Sequence, residues 1–292
     1  MDFVTAFVLG VIQGVLEFLP VSSSGHLVIL ERLLGFNNTP VLPFHIFLHI
    51  GSVIAVLYTL RRDEIRLVSE TGKMLLDCLR NMKEFLRSLR LGEDPDYVKV
   101  VRTNYRKLVV TLLEVSLPTA LIGLLLRDAA AAASGSAMYT GIGLLLTGVV
   151  LLVASMLRPG NEMPRDIPGW KMLLIGTAQG ISVLPGISRL GLTVSGGILC
   201  GLSKATAIRI SFLMLVPAAV GALAGELFTG IPSGILSGDT VLICIIGMAA
   251  SAAAGIFTMK RAVRFFRVRS MRGFAAYCFC AGTAAVLLGF FI

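Results

Sequence analysis

The sequence predicts an all-α polytopic membrane protein with six transmembrane helices and two re-entrant helical hairpins arranged as an inverted repeat. Three observations predict it. Of 292 residues, 55% are hydrophobic and only 15% charged, whereas an ordinary soluble domain carries about 25% charged residues; the mean hydropathy is +0.85. Apolar runs near the ~20 residues that span a bilayer as a helix recur at 41–60, 108–126, 136–157, 205–229, 240–259 and 273–291. Finally, 21 of the 26 Lys and Arg residues are gathered into three segments, 61–107, 158–171 and 260–272. By the positive-inside rule these segments face the cytoplasm. A basic membrane face then explains the net charge of +9 without a nucleic-acid partner.

The elements follow in chain order. No Lys or Arg precedes Arg32, so the N-terminus lacks the basic region of a cleavable signal peptide and is expected to stay in the mature chain. Residues 2–34 form the first hairpin, and 41–60 crosses inward. Segment 61–107 is too charged to span: Leu75, Leu79, Met82, Leu86 and Leu89 recur at helical spacing among Lys73, Arg80, Lys83, Arg87 and Arg90. This describes an amphipathic helix lying on the anionic leaflet or one packed under the bundle. Span 108–126 goes out to a loop near Arg127 and Asp128, and 136–157 returns. The second hairpin occupies 172–200. Span 205–229 leads out to the uncharged loop 230–238, 240–259 returns, and 273–291 leaves the C-terminus outside. Cys78, Cys200, Cys244, Cys278 and Cys280 contain no CxxC pair and are read as buried apolar residues.

Each hairpin stretch is broken at its middle. The first contains Gln13-Gly14, Leu19-Pro20, Ser22-Ser23-Ser24-Gly25 and His26; the second contains Gln179-Gly180, Leu184-Pro185-Gly186, Ser188-Arg189 and Gly191. Ser stands three residues beyond each proline. The combination points to a duplication into halves 1–157 and 158–292. One hairpin plus three crossings per half gives the halves opposite orientation, so the hairpin tips can meet near the midplane, where inverted repeats with broken helices place ligands. Reading each stretch as a single kinked crossing would change the parity and leave a basic segment outside.

Polar residues at membrane depth are functional candidates by default. Gln13 and Glu17 share one helix face at i, i+4; a carboxylate there needs a proton, a cation or a basic partner. Ser22, Ser23 and Ser24 offer hydroxyls at a helix start, a geometry suited to anions, and His26 follows within reach. Arg189 is the only Lys or Arg between Lys171 and Lys204. Always charged, at a helix start in a bilayer it calls for an anion, with Ser188 and Thr193 beside it. Together these groups suit hydrolysis of a phosphate ester or diphosphate that sits in the bilayer. His45 and His49 have metal-ligand spacing but no third clear ligand, and are expected to matter little.

The motif from Gln13 through Glu17-Phe18-Leu19-Pro20-Val21-Ser22-Ser23-Ser24-Gly25-His26 resembles the first signature of the undecaprenyl-diphosphate phosphatases of the bacitracin-resistance type. Pro185-Gly186-Ile187-Ser188-Arg189 with Thr193 resembles the second. The resemblance implies a multi-pass protein of the prokaryotic cell membrane. It implies dephosphorylation of a polyprenyl diphosphate to the monophosphate carrier of envelope glycan synthesis, on the outer face, with Mg²⁺ or Ca²⁺. Carried over by position, Glu17, Ser23, His26 and Arg189 are the catalytic residues, Ser22, Ser24, Ser188 and Thr193 the phosphate contacts, and Glu17 with Gln13 the cation ligands. Gln13 stands where many members have a second Glu, Ser24 where many have Thr, and Leu190 where Ser is common. The expected partners are the diphosphate lipid and membrane lipids, with a homodimer as an open option. Either Ser23, activated by His26, attacks phosphorus, or His26 activates a water. A polyprenyl-phosphate flippase is the competing class.

Overall fold

The computed structural model describes residues 1–35, 42–163, 167–229, 238–268 and 270–291. Among them it contains twelve helices: α1 (Phe3–Leu16), α2 (Ser23–Leu33), α3 (Leu42–Thr59), α4 (Arg61–Leu91), α5 (Asn104–Leu125), α6 (Arg127–Ser134), α7 (Ala137–Met156), α8 (Gly169–Ile181), α9 (Arg189–Leu199), α10 (Lys204–Thr229), α11 (Gly238–Val268) and α12 (Arg272–Leu288). Each apolar run expected to cross coincides with a helix, and each broken stretch is a pair of shorter helices. By length and apolarity α5, α7, α10 and α11 can each cross a membrane, and α3 joined to α4 makes a fifth candidate. The chain is therefore a multi-pass membrane protein. The expected sixth crossing corresponds to α12, whose 17 residues reach about 26 Å at 1.5 Å per residue. Of the loop expected outside, 230–237 lie beyond the described residues, as do Arg165, Arg269 and the C-terminal Ile292.

Small residues set the helix contacts, because lipid tails supply no hydrophobic drive between helices and close backbone approach must do so instead. Gly10 and Gly14 put α1 directly on the backbone of α11 at Gly247 and Ser251. Gly176 and Gly180, at the same four-residue spacing, put α8 on α5 at Val115 and Ile122. Thus the first helix of each hairpin is seated by the same device. α7 and α12 meet through Gly141 and Gly282. The tips of the two hairpins also touch: a Cβ on Gly25 would lie 2.8 Å from the Gly186 Cα. Beneath this junction Phe18, Leu190, Val194 and Phe212 are buried in the largest core cluster, with the Phe18 and Phe212 rings edge to face at 5.5 Å.

The basic segment 61–107 is a long helix and an extended return. α4 turns 91° from α3. Leu75, Leu79, Met82, Leu86 and Leu89 are all exposed along it, the disposition of an interfacial helix rather than one covered by the bundle. The Asn81 amide pairs with both the N–H and C=O of Val98 at 2.8 Å, pinning the return. Arg106, almost fully buried, bonds Glu70 at 2.9 Å and Asp77 at 2.6 Å. These hydrogen bonds hold both carboxyls below their ordinary range, Glu70 through Lys73 first and then Arg106, Asp77 through Arg106. Cys200, Cys244 and Cys278 are buried as expected, but Cys78 and Cys280 are exposed; Cys78 lies on α4 among residues that face away from the bundle, and Cys280 on the outward side of α12.

Candidate active site

Both hairpins end in a serine cap. α1 stops at Leu16, with Glu17 as its C-cap, and the chain reverses to Ser22. The Ser22 Oγ accepts the Gly25 N–H at 3.3 Å. Ser22 adopts φ +64° without being glycine, a conformation that costs roughly 1–3 kcal/mol and persists only where its surroundings impose it. In the second hairpin the positive φ, +86°, falls on Gly186, and the Ser188 Oγ accepts the Gly191 N–H at 3.0 Å. The caps therefore match Ser22 with Ser188. Ser23 and Arg189 then occupy the same position, the first residue of their helices.

These two residues converge on Glu17. Its Oε1 accepts from Arg189 Nη2 at 3.0 Å, and its Oε2 accepts from Ser23 Oγ at 2.5 Å and Gln13 Nε2 at 3.1 Å. The pair is nearly buried, with side-chain exposures of 7% for Glu17 and 14% for Arg189. A buried ion pair is held by this kind of surrounding hydrogen bonding, and losing one partner strands the other charge. Arg189 Nη1 also donates to the Ser211 carbonyl of α10 at 3.1 Å, which fixes the guanidinium while leaving N–H groups for an anion.

The other expected residues divide. Ser24 is half-buried and pairs with Ser22 at 3.3 Å. Ser188 and Thr193 are buried and engaged: Ser188 caps α9, and the Thr193 hydroxyl lies 2.8 Å from the Arg189 carbonyl and 2.5 Å from the Ser211 hydroxyl. They shape the arginine's seat. His26 is in the junction but is not bonded to Ser23. Its Nδ1 donates to the Ser22 carbonyl at 2.7 Å, and its Nε2 accepts from the Tyr277 hydroxyl of α12, also at 2.7 Å. Glu17, rather than His26, is the side chain in contact with the Ser23 hydroxyl.

Four contributors among the described residues come from helices outside the two hairpins. Thr147 of α7 ties the second loop: its Oγ1 donates to the Gly186 carbonyl at 2.8 Å and accepts from the Ser188 N–H at 2.9 Å. Ser211 supports Arg189, and Tyr277 supports His26. His49 lies 3.2 Å from Gln13 Nε2, so it belongs to the site despite its modest expected importance. One helical turn away, His45 pairs with Glu31 at 2.6 Å. No group of three His, Cys, Asp or Glu among the described residues could hold a metal by itself.

The family model for "Bacitracin resistance protein BacA" matches residues 6–284. The chain belongs to this family. It is similar to undecaprenyl-diphosphatases over nearly its whole length. It is 32% identical over 283 residues to the undecaprenyl-diphosphatase of Alkaliphilus metalliredigens, covering 97% of each chain. It is 34% identical to that of Desulfosudis oleivorans, covering 99% of each. It is 31% identical to that of Methanosphaera stadtmanae, covering 99% of this chain and 98% of the relative. The BacA match spans both hairpins, so the residues around Glu17 and Arg189 lie inside it.

Proposed function

We propose that this chain is an undecaprenyl-diphosphatase, hydrolysing the lipid diphosphate to the monophosphate and inorganic phosphate where the two hairpins meet. The observation that carries this reading is the convergence of Ser23 and Arg189, each at the start of a helix, on the single carboxylate of Glu17. Full-length similarity to undecaprenyl-diphosphatases supplies the substrate. Arg189 provides the planar fork that suits phosphate oxygens, and the two helix starts add N–H groups and positive dipole ends.

In the route the contacts favour, Ser23 Oγ gives its proton to Glu17 and attacks the terminal phosphorus. A bond from Ser23 Oγ to phosphorus forms, the anhydride bond breaks, and the monophosphate lipid leaves; water then hydrolyses the phosphoserine. His26 supports a second route. In it a water displaces the Tyr277 hydroxyl from Nε2, the ring's one acceptor nitrogen, and gives its proton there as it attacks phosphorus directly.

Gln13 Oε1 is buried and lacks a hydrogen-bond partner, which leaves an oxygen donor next to Glu17. One carboxylate and one amide oxygen fit a Mg²⁺ or Ca²⁺ that completes its shell with substrate phosphate and water, the usual Mg²⁺ arrangement. Bound there, the ion would supply charge neutralisation of the diphosphate. Glu17 and Gln13 are the residues that would hold it.

The reading includes an inverted repeat of 1–157 and 158–292, supported by the matched Gly-x₃-Gly seats of α1 and α8. It also places both termini outside and the basic segments in the cytoplasm, supported by charge. In intact cells expressing a cysteine-free background, Phe291→Cys should react with an impermeant thiol reagent and Arg90→Cys should not. The direct test of function is phosphate release by purified protein from undecaprenyl diphosphate, with and without chelator. Release that falls on chelation is expected. No release, with lipid movement intact, would indicate a transporter instead.

A further inference from the structure

A second charged recess lies at the elbow where α3 turns into α4. A cavity of about 400 Å³ is lined there by Arg61, Arg62, Asp63 and, from α10, Arg209. Arg209 Nε donates to Asp63 Oδ2 at 3.0 Å and Nη2 reaches both carboxylate oxygens. Tyr105 donates to Oδ1 at 3.2 Å. The one carboxylate lining the cavity is thus already committed. Arg61 and Arg62 have no acidic partner among the described residues, so the recess keeps a net positive charge. Thr59, also in its lining, has a buried hydroxyl with no hydrogen-bond partner.

A second cavity, of about 310 Å³, shares Asp63 and Arg209 and continues over Leu108, Ile210 and Leu213. A cationic recess therefore adjoins an apolar one, at the root of a helix whose exposed leucines place it at a membrane surface. We infer that the elbow is a binding site for a phosphate-headed membrane lipid, its head between Arg61, Arg62 and Arg209 and its chain over Leu108 and Leu213. Guanidinium groups recognise phosphate oxygens by charge and geometry, and a bilayer supplies the chain. Neither cavity is lined by Glu17, Ser23 or Arg189, so binding at the elbow does not depend on hydrolysis between the hairpins.

Native mass spectrometry of the detergent-purified full chain tests it, using dioleoyl phosphatidic acid, farnesyl monophosphate and sodium phosphate as probes. A lipid monophosphate should remain bound to Arg189→Ala. The double variant Arg61→Gln/Arg62→Gln should bind it about tenfold more weakly, equivalent to ~1.4 kcal/mol, while keeping wild-type phosphate release as evidence of folding. Ala205→Phe, which fills the apolar cavity and leaves the arginines, should weaken it as well. The stronger lipid probe names the source. Wild-type binding by both elbow variants, loss of all lipid in Arg189→Ala, or equal displacement by sodium phosphate would overturn the assignment.

Discussion

The two hairpins share a frame and differ in what they carry. Each begins with a helix seated through a Gly-x₃-Gly pair, contains a buried glutamine before the break, and restarts with a serine whose hydroxyl accepts from a glycine N–H three residues on. The first bears Glu17, Ser23 and His26; the second bears Arg189. The equivalent helix-start position holds a hydroxyl in one and a permanent cation in the other, and both bind the same carboxylate. Neither hairpin alone holds a complete phosphate site. On the proposed function the chemistry belongs to their junction, which the close approach of Gly25 to Gly186 allows.

Breaking the junction at its carboxylate should have the largest effect. Glu17→Gln removes the base and leaves Arg189 without its anion; turnover should fall by about 10² to 10⁴, the range for a lost general base. Breaking such a buried pair also costs about 3–5 kcal/mol. Added orthophosphate should therefore raise the Tm of this variant more than that of wild type. Full turnover in monodisperse Glu17→Gln would remove Glu17 from the chemistry.

The two routes separate next. With Ser23 as nucleophile, Ser23→Ala should be nearly inactive, and acid-quenched wild type should yield a phosphoserine at that position. Substantial activity in Ser23→Ala together with loss in His26→Ala, again by about 10² to 10⁴, would transfer the attack to water.

A smaller effect should distinguish the hairpins structurally. Thr147→Val removes the tie on the second loop alone, stranding the Gly186 carbonyl and the Ser188 N–H. Each buried unpaired group costs about 1–3 kcal/mol, so the Tm should drop while Ser23 keeps its contact to Glu17. An unchanged Tm would show that the second loop holds itself.

Glu64, outside both hairpins, provides the mildest test. Burial first, and then the neighbouring Asp63, push its carboxyl up to about 7 from 4.5. The folded state therefore binds the extra proton between these values, and Glu64's contribution to stability declines as pH rises from about 4.5 through 7. Glu64→Gln should raise the Tm at pH 8 and have little effect near pH 4.5. Equal shifts at both would contradict the burial assignment.

The spans and both hairpins were legible because apolar length, basic clusters and helix breakers are local signals. Glu17, Ser23 and Arg189 were legible because a polar residue in an apolar run has few structural excuses. The register between hairpins was not. Counting from proline pairs Ser23 with Ser188, whereas the caps pair Ser22 with Ser188, since the second turn uses one more residue after its proline. Nor were the places of His49, Thr147, Ser211 and Tyr277: they reach the junction from helices outside the two hairpins, and a single sequence carries no signal of that proximity. The contact between His26 and Tyr277 also diverts the histidine from the serine that sequence spacing offered it.

Arg189→Lys tests the junction most directly, because it keeps the charge and removes the fork. Steady-state kinetics on undecaprenyl diphosphate, with folding checked by gel filtration, should show kcat reduced by about tenfold or more and KM changed less, as for an interaction stronger in the transition state than in the ground state. Near-wild-type kcat and KM in both Arg189→Lys and Arg189→Ala would contradict it, placing the reacting phosphate somewhere other than between the hairpins.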